Sequence, residues 1–429
     1  MIKSFKVMLI PNNRQRSQFF NYAGAARFAY NWALRKEIDN LEKDKKFISS
    51  NQLRKELTQL KKDSNFSWLN TIDCDITKQA IKDLDKAYSR FFKLRKQKGY
   101  EPYSKDLLIR LKREGKEPTF YQSKGHPKFK SKKDYNKYGF YQDAYKISFT
   151  NTHVKLVLVA GRGKAGTKRS KNFCQIRLAE HGYIPTNVKY YNPRVTFDGL
   201  NWWISVGVEI PEDNTDTVYL NSSNDGIGID LGIKDLAICS DKNTYKNINK
   251  SKKIKKLEKK KRRLQRKISR KYNKNKKGES YHKTKNAIKE EKLLLKLNHR
   301  LTNIRNNYIH QVTSEIVNRE PKFIVLEDLN VSSMMKNKHL AKAVQKQKFY
   351  EFRRQIEYKS ANKNIEVFIA PRFFPSSKTC NHCGFIKKDL KLSDRTYICP
   401  ECDYIEDRDL NAAMNLCDYY RNNKSVMSA

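Results

Sequence analysis

The sequence predicts a multidomain protein of mixed α+β and α/β class. Three observations carry that prediction. Apolar residues recur at helical spacing in Arg14–Lys36 and again in Ile76–Leu94, and strand patterns fill Tyr145 to Ile210. From Gly226 onward, short all-apolar runs of parallel-strand type alternate with long helical stretches. At 429 residues the chain exceeds one ordinary core.

Met1 to Pro11 reads as an opening strand, too short and too polar for a signal peptide. Phe19, Phe20, Ala23, Ala26, Tyr30, Ala33 and Leu34 define a first helix. Ala80, Leu84, Ala87, Tyr88 and Phe91 define a second, whose other face carries Lys78, Lys82, Lys86 and Arg90. Such apolar stripes are ordinary core faces. Residues 96–145, rich in Lys, Tyr, Gly and Pro, show no clear period. Strands are expected over Lys146–Thr150, His153–Val159 and Cys174–Leu178. A hairpin should then pair Val188–Phe197 with Trp202–Ile210 around Asp198-Gly199.

Asn214 to Asp225 reads as a linker, and Gly226-Ile227-Gly228-Ile229 as a buried strand ending at Asp230. Lys250 to Lys277 holds seventeen Lys or Arg and one acid, Glu258. Ile254, Leu257, Leu264 and Ile268 nevertheless keep helical spacing, which argues for a basic helix over a disordered tail. A further helix is expected from Ala287 to Asn318, and parallel-type strands at Phe323–Leu326 and Ile365–Ile369.

Charge narrows the function classes. Ninety Lys and Arg against 45 Asp and Glu leave +45, a self-repelling field that calls for a polyanionic partner, most commonly nucleic acid. No run of about 18 apolar residues offers a membrane span, so no membrane partner is expected. Cys74, Cys174, Cys239 and Cys417 are scattered, which fits a reduced, cytoplasmic compartment rather than a disulfide framework. The other four cysteines, Cys380-x2-Cys383-x15-Cys399-x2-Cys402, have zinc-ribbon spacing: two tight turns each present two thiolates to one structural Zn2+. A closed four-thiolate site does no chemistry, and His382 inside it is a bystander.

Carboxylates flank that ribbon. Asp230 and Glu327 each close an apolar strand, and Asp409 opens a short helix. In open α/β sheets the carboxyl ends of strands border the ligand crevice. Three carboxylates meeting there would hold two Mg2+ ions about 3.5–4 Å apart, the arrangement that supports phosphodiester displacement. Oxygen ligands suit Mg2+ and thiolates suit Zn2+, so the two metal sites are chemically separate. Taken singly, each acid is more often a surface residue, and Asp407 and Asp409 can each cap a helix. The ordered set on a chain of charge +45 points to nuclease chemistry.

These residues resemble the transposon-encoded TnpB family and its descendants, the miniature type V CRISPR effector nucleases. The matching stretches include Ala23-Gly24-Ala25-Ala26-Arg27-Phe28-Ala29-Tyr30-Asn31-Trp32 and Gly125-His126-Pro127-Lys128-Phe129-Lys130. In the C-terminal half they are Gly228-Ile229-Asp230-Leu231-Gly232, Val325-Leu326-Glu327-Asp328-Leu329, Ser376-Ser377-Lys378-Thr379-Cys380 and Asp407-Arg408-Asp409-Leu410-Asn411-Ala412-Ala413. The resemblance implies an RNase H-like (RuvC) nuclease with Asp230, Glu327 and Asp409 as catalytic, Mg2+-binding carboxylates, favouring Asp409 over Asp407. It also implies a guide RNA, an omega RNA or its CRISPR counterpart, that pairs with target double-stranded DNA while the protein reads a short flanking motif.

The expected architecture follows. Residues 1–11 and 119–220 form a β-barrel-like wedge, 12–118 a helical recognition lobe, 221–377 and 404–429 the RuvC domain, and 378–403 the zinc-ribbon insert. A prokaryotic, nucleoid-associated monomer is expected rather than a homodimer. The alternatives are a CRISPR effector of the same mechanism, a non-cleaving RNA-guided repressor, an unguided transposase and an actin-like phosphotransferase. The last should show glycine-rich phosphate loops, and the 16 glycines form none.

Overall fold

The structure, a computed structural model, describes residues 2–43, 46–132, 138–158, 174–210, 226–278, 280–281, 283–391 and 393–427. The linker expected at 214–225 lies outside those residues, as does Val159. The chain divides into two compact units, Met1–Asn214 and Thr215–Ala429.

The first unit opens with β1 (Ile2–Ile10) and α1 (Asn13–Leu41). Asn12 starts that helix with a capping box: its side chain accepts from the Gln15 N–H, and the Gln15 side chain accepts from the Asn12 N–H. Then come α2 (Ser50–Leu60), α3 (Cys74–Arg95) and α4 (Lys105–Arg113). The strands are β2 (Gly139–Tyr141), β3 (Ser148–Phe149), β4 (His153–Lys155), β5 (Gln175–Leu178), β6 (Tyr190–Phe197) and β7 (Trp202–Glu209). Among the described residues they make one antiparallel sheet in the order β2-β6-β7-β1-β5-β4-β3.

The barrel-like closure is corrected here: β2 and β3 are edges of an open sheet. Closing a ring needs matched strands at the seam, and these edges are three and two residues long. The expected strand Lys146–Thr150 shrinks to β3 because Ala144–Lys146 forms a 3-10 turn. The α1 stripe does face the sheet, with Phe19 and Tyr22 meeting Trp202 and Phe140 at ring separations of 5.1 and 5.4 Å. In the stretch read as having no period, α4 is an addition; only Leu111 of its nine residues is buried, too little to leave a stripe.

The second unit contains β8 (Ile227–Leu231), β9 (Asp235–Cys239), β10 (Thr244–Lys246), α5 (Lys252–Lys274), the short pair β11 (Lys276–Lys277) and β12 (Ser280–Tyr281), and α6 (Lys285–Asn318). It continues with β13 (Phe323–Glu327), α7 (Val331–Met334), α8 (Ala341–Gln347), α9 (Phe349–Ala361) and β14 (Glu366–Ala370). The hairpin β15 (Thr396–Ile398) and β16 (Ile405–Asp407) leads into α10 (Arg408–Met427). The main sheet runs β10-β9-β8-β13-β14. Strands β8, β13 and β14 are parallel; β9 is antiparallel to both of its neighbours.

Helices cover both faces. Ile309, Val312 and Ile316 of α6, with Phe352 and Ile356 of α9, pack on one face. Leu416, Cys417 and Tyr420 of α10 pack with Phe323, Val325 and Ala370 on the other. The basic run is helical because its apolar seam has somewhere to go: Ile254 is buried with Leu297 and Leu301 of α6. Its charges are partly tied down too, Lys267 and Lys271 meeting Glu290 at 2.7 and 2.8 Å. Among the described residues no helix is long and apolar enough to cross a membrane.

Candidate functional site

Strand register places the first two acids. In the parallel pair β8 and β13, Ile229 lies opposite Leu326, so the next residues, Asp230 and Glu327, emerge side by side at the carboxyl ends of their strands. Both side chains are half-buried. The third acid enters from α10, which packs along β8. That approach is possible because residue 228 is glycine: a Cβ there would lie 2.0 Å from the Ala413 carbonyl oxygen and 2.6 Å from the Cys417 nitrogen.

Asp407 and Asp409 separate cleanly. Asp407 caps α10, its Oδ1 accepting from the N–H groups of Asp409 at 2.9 Å and Leu410 at 3.2 Å. Asp409 does no capping, and its Oδ2 lies 3.7 Å from Nη1 of Arg395.

The electrostatics bind the three acids into one cluster. Burial, then the charges of Asp409 and Glu327, push the Asp230 carboxyl up to about 8, against the pull of Arg408. Burial, then Asp328, also raises Glu327. Like charges gathered in a desolvated place without enough counter-charge favour a bound cation or a bound proton. The three carboxylates are not as tight as the cysteines. Among the described residues, the groups whose ligand atoms all lie within 4.8 Å of one another are Cys380, Cys383, Cys399 and Cys402, and Asp73, Cys74 and Asp75. The second group is occupied by other work: Asp73 caps α3, and Lys146 pairs with Asp73 and Asp75.

The four cysteine sulfurs stand 3.7 Å apart for Cys380 and Cys402 and 3.5 Å apart for Cys383 and Cys399. A tetrahedron with metal–sulfur bonds of about 2.3 Å has edges of about 3.8 Å, so the spacing fits a single ion. His382 stacks on Tyr404 with the rings 14° from parallel, outside the sulfur set.

Sequence reading missed the residues that brace these sites. Asp328, next to Glu327, receives Arg353 from α9 at 3.3 Å and Arg372 from beyond β14 at 2.6 Å. Asn381 sits inside the first Cys-x2-Cys turn. Its N–H donates to Asn411 at 3.1 Å, and its Nδ2 donates to Asn415 at 3.1 Å and Asp418 at 2.7 Å. Asn411 and Asn415 in turn donate to the Thr379 carbonyl at 2.8 and 2.6 Å. The spacing of 411, 415 and 418 on one helix face was the available signal. A cleft of about 530 Å3 lined by Gly226, Asp241, Arg319, Asn381 and Asp418 holds none of the three acids.

Known families match three stretches of the chain. Residues 1–46 match the helix-turn-helix domain of the IS605 OrfB proteins, residues 205–338 the IS605 OrfB "probable transposase" region, and residues 349–416 the Cas12f1-like TNB domain. The putative RNA-guided DNA endonuclease InsQ of Escherichia coli (strain K12) is 28% identical over 430 residues, covering 97% of this chain and 91% of that protein. The chain is similar to the transposon-encoded OrfB (TnpB) proteins over nearly its whole length. A second relative, a putative RNA-guided DNA endonuclease of Streptomyces pristinaespiralis, is 26% identical and covers 96% of this chain and 88% of that protein.

Solved structures of similar length include the Cas12f1-sgRNA-target DNA complex, at 15% identity with 97% and 99% of the two chains covered and a TM-score of 0.33. CasPhi-2 (Cas12j) bound to crRNA and phosphorothioate-DNA reaches 0.45 at 10% identity, covering 98% and 91%. Both superpositions are too loose to argue a fold from. In this chain the stretch matched as helix-turn-helix contains β1 and the single continuous helix α1.

Proposed function

We propose that the chain is an RNA-guided DNA endonuclease of the TnpB type, cutting target DNA at Asp230, Glu327 and Asp409. The observation that carries the reading is the strand register that sets Asp230 and Glu327 side by side at their strand ends, with α10 and its Asp409 packed against β8 at Gly228. An RNase H-like (RuvC) assignment is supported by the sheet order, which in its own strand numbering is 3-2-1-4-5 with only the second strand reversed against the parallel set. The relatives' names as RNA-guided endonucleases support the guide RNA and target DNA as partners. A CRISPR effector of the same mechanism is favoured as the second reading by the match at residues 349–416 and by a Cas12f1 relative 24% identical over half of this chain.

The donor set fits Mg2+: hard carboxylate oxygens, desolvated and short of counter-charge. Bound there, Mg2+ would supply charge to the scissile phosphate and lower the pKa of a water. The chain's own residues do the rest. Burial and its acidic neighbours raise the Asp230 carboxyl, which favours a cation there, and Arg395 offers Asp409 a countercharge from the ribbon. Arg353 and Arg372 hold Asp328, and with it the end of β13. Cys380, Cys383, Cys399 and Cys402 fit one Zn2+ that closes residues 378–403 into a ribbon. Within this reading residues 12–118 are the recognition lobe, 1–11 with 119–220 the wedge, and 221–377 with 404–429 the nuclease.

The test is to purify the protein with RNA co-expressed from its own locus, sequence that RNA, and assay guided cleavage with Mg2+. A discrete RNA and cleavage lost in Asp230→Ala and Asp409→Ala are expected. No co-purifying RNA, or variants as active as the parent, would overturn the proposal.

A further inference from the structure

Phe373 is 92% exposed, the highest value among the described large apolar side chains. A singly exposed apolar residue is ordinary on a protein surface. What sets Phe373 apart is where it is held and how firmly.

Its place follows from the strand register. Ala370, the last residue of β14, lies opposite Glu327, and its carbonyl accepts from the Asp328 N–H at 3.3 Å. Phe373 is three residues further on, so its Cα lies within roughly 11 Å of the strand end beside Glu327. The segment is braced on both sides. Arg372 is fixed to Asp328 at 2.6 Å, and Phe374 packs on Tyr419 of α10 with ring centroids 4.5 Å apart. The Phe374 N–H closes a turn onto the Pro371 carbonyl at 2.9 Å, and the Ser376 carbonyl accepts from Asn415 at 2.8 Å. Prolines at 371 and 375 fix φ at each end of the turn. The fold thus packs one half-buried phenylalanine as an anchor and presents its neighbour to solvent.

We propose that Phe373 is a stacking platform for one unpaired nucleobase of the strand delivered to the carboxylates. This deepens the nuclease reading and rests on it. A bare aromatic face on a chain of charge +45 suits a base whose own phosphates are drawn to the protein by its excess of Lys and Arg. Bases within a duplex have both faces covered, so the platform selects a single-stranded or frayed segment. At about 3.4 Å per stacked nucleotide, that base lies within about three nucleotides of the phosphate at the acids. The side chain touches substrate without supplying chemistry, and its work is to hold the strand in register.

Photocrosslinking separates this proposal from the nuclease reading. The full-length protein, with its co-purified RNA where present, is irradiated in magnesium-free buffer with single-stranded DNA carrying 5-iododeoxyuridine. Trypsin releases Phe373 to Lys378 as one peptide, and fragmentation distinguishes Phe373 from Phe374. The expected result is an adduct on Phe373. At matched salt Phe373→Ala should bind the same strand about 5- to 150-fold more weakly, with unchanged thermal stability because the ring is 92% exposed. Phe373→Trp should restore binding. Adducts only on other aromatics, or an alanine variant that binds as the parent does, would overturn the platform. Neither readout needs cleavage, so a protein that fails to cut DNA yet crosslinks at Phe373 refutes the nuclease and keeps the subsite.

Discussion

Asn381 donates from Nδ2 to the carboxylate of Asp418 at 2.7 Å, joining the first Cys-x2-Cys turn to the helix that begins at Arg408-Asp409. The same side chain reaches Asn415, and its backbone N–H reaches Asn411. The cysteine turn therefore sits against three positions of α10, so an ion held by the four cysteines would steady the helix's first turns as well as the turn. Asn381→Ala should keep full zinc content while lowering the melting temperature by about 2–6 °C and speeding amide exchange over residues 409–413. Cys380→Ser with Cys383→Ser should produce the same exchange signature together with loss of the metal. Exchange at 409–413 that ignores both changes would show that the ribbon does not position Asp409.

Gly228 makes a second, sharper demand on that helix. A methyl group there would collide with backbone atoms of Ala413 and Cys417, which cannot swing aside as a side-chain tip can. Gly228→Ala should cost about 2–4 kcal/mol in urea unfolding and push α10 outward. Because Asp409 rides on α10 and Asp230 on β8, the surviving folded fraction should also lose metal-dependent cleavage. A variant as stable and as active as the parent would mean that the helix and strand stand further apart than this packing.

The hairpin of β6 and β7 and the parallel strands β13 and β14 were legible because each satisfies a local rule: alternation around Asp198-Gly199, or an unbroken apolar run. The ends of β8 and β13 carried their acids to neighbouring places for the same reason. What local pattern could not give was anything set by partners far along the chain. Strand β9 is apolar and short, and its antiparallel pairing with β8 follows from the chain reversal between Leu231 and Asp235. The open edges of the first sheet depend on how little of residues 138–158 pairs. Asn381, Arg372 and Arg395 are unremarkable polar residues until α10 and β13 arrive beside them.

Arg262, Arg266 and Arg270 follow one line along α5, each about 6 Å beyond the last, and border one shallow groove. All three are exposed, and none makes an ion pair among the described residues, in contrast to Lys267 and Lys271 on Glu290. Free guanidinium groups at that spacing suit successive phosphates of guide or target. Changing all three arginines to Gln should make the slope of log affinity against log salt shallower by about 2–3. Lys267→Gln should leave the slope nearly as it was and lower stability instead. Equal slopes for the parent and the triple variant would remove the helix from the nucleic-acid path.

Glu37, on α1, is fully buried; one oxygen accepts from the Ile48 N–H at 3.2 Å, and the other has no partner among the described residues. Burial pushes its carboxyl up to about 7, with the Ile48 N–H pulling the other way and Asp85 and Glu56 adding to the rise. The folded state therefore holds a proton that the unfolded chain has released. The stability this group contributes is complete below the ordinary value of 4.5 and is lost as pH rises through about 7. Urea unfolding of the first unit should show the parent losing roughly 1–3 kcal/mol relative to Glu37→Gln between pH 5 and pH 8, because glutamine keeps the neutral form at every pH. A difference between the two proteins that does not change with pH would place the Glu37 carboxyl in water, against its burial beneath Ile48.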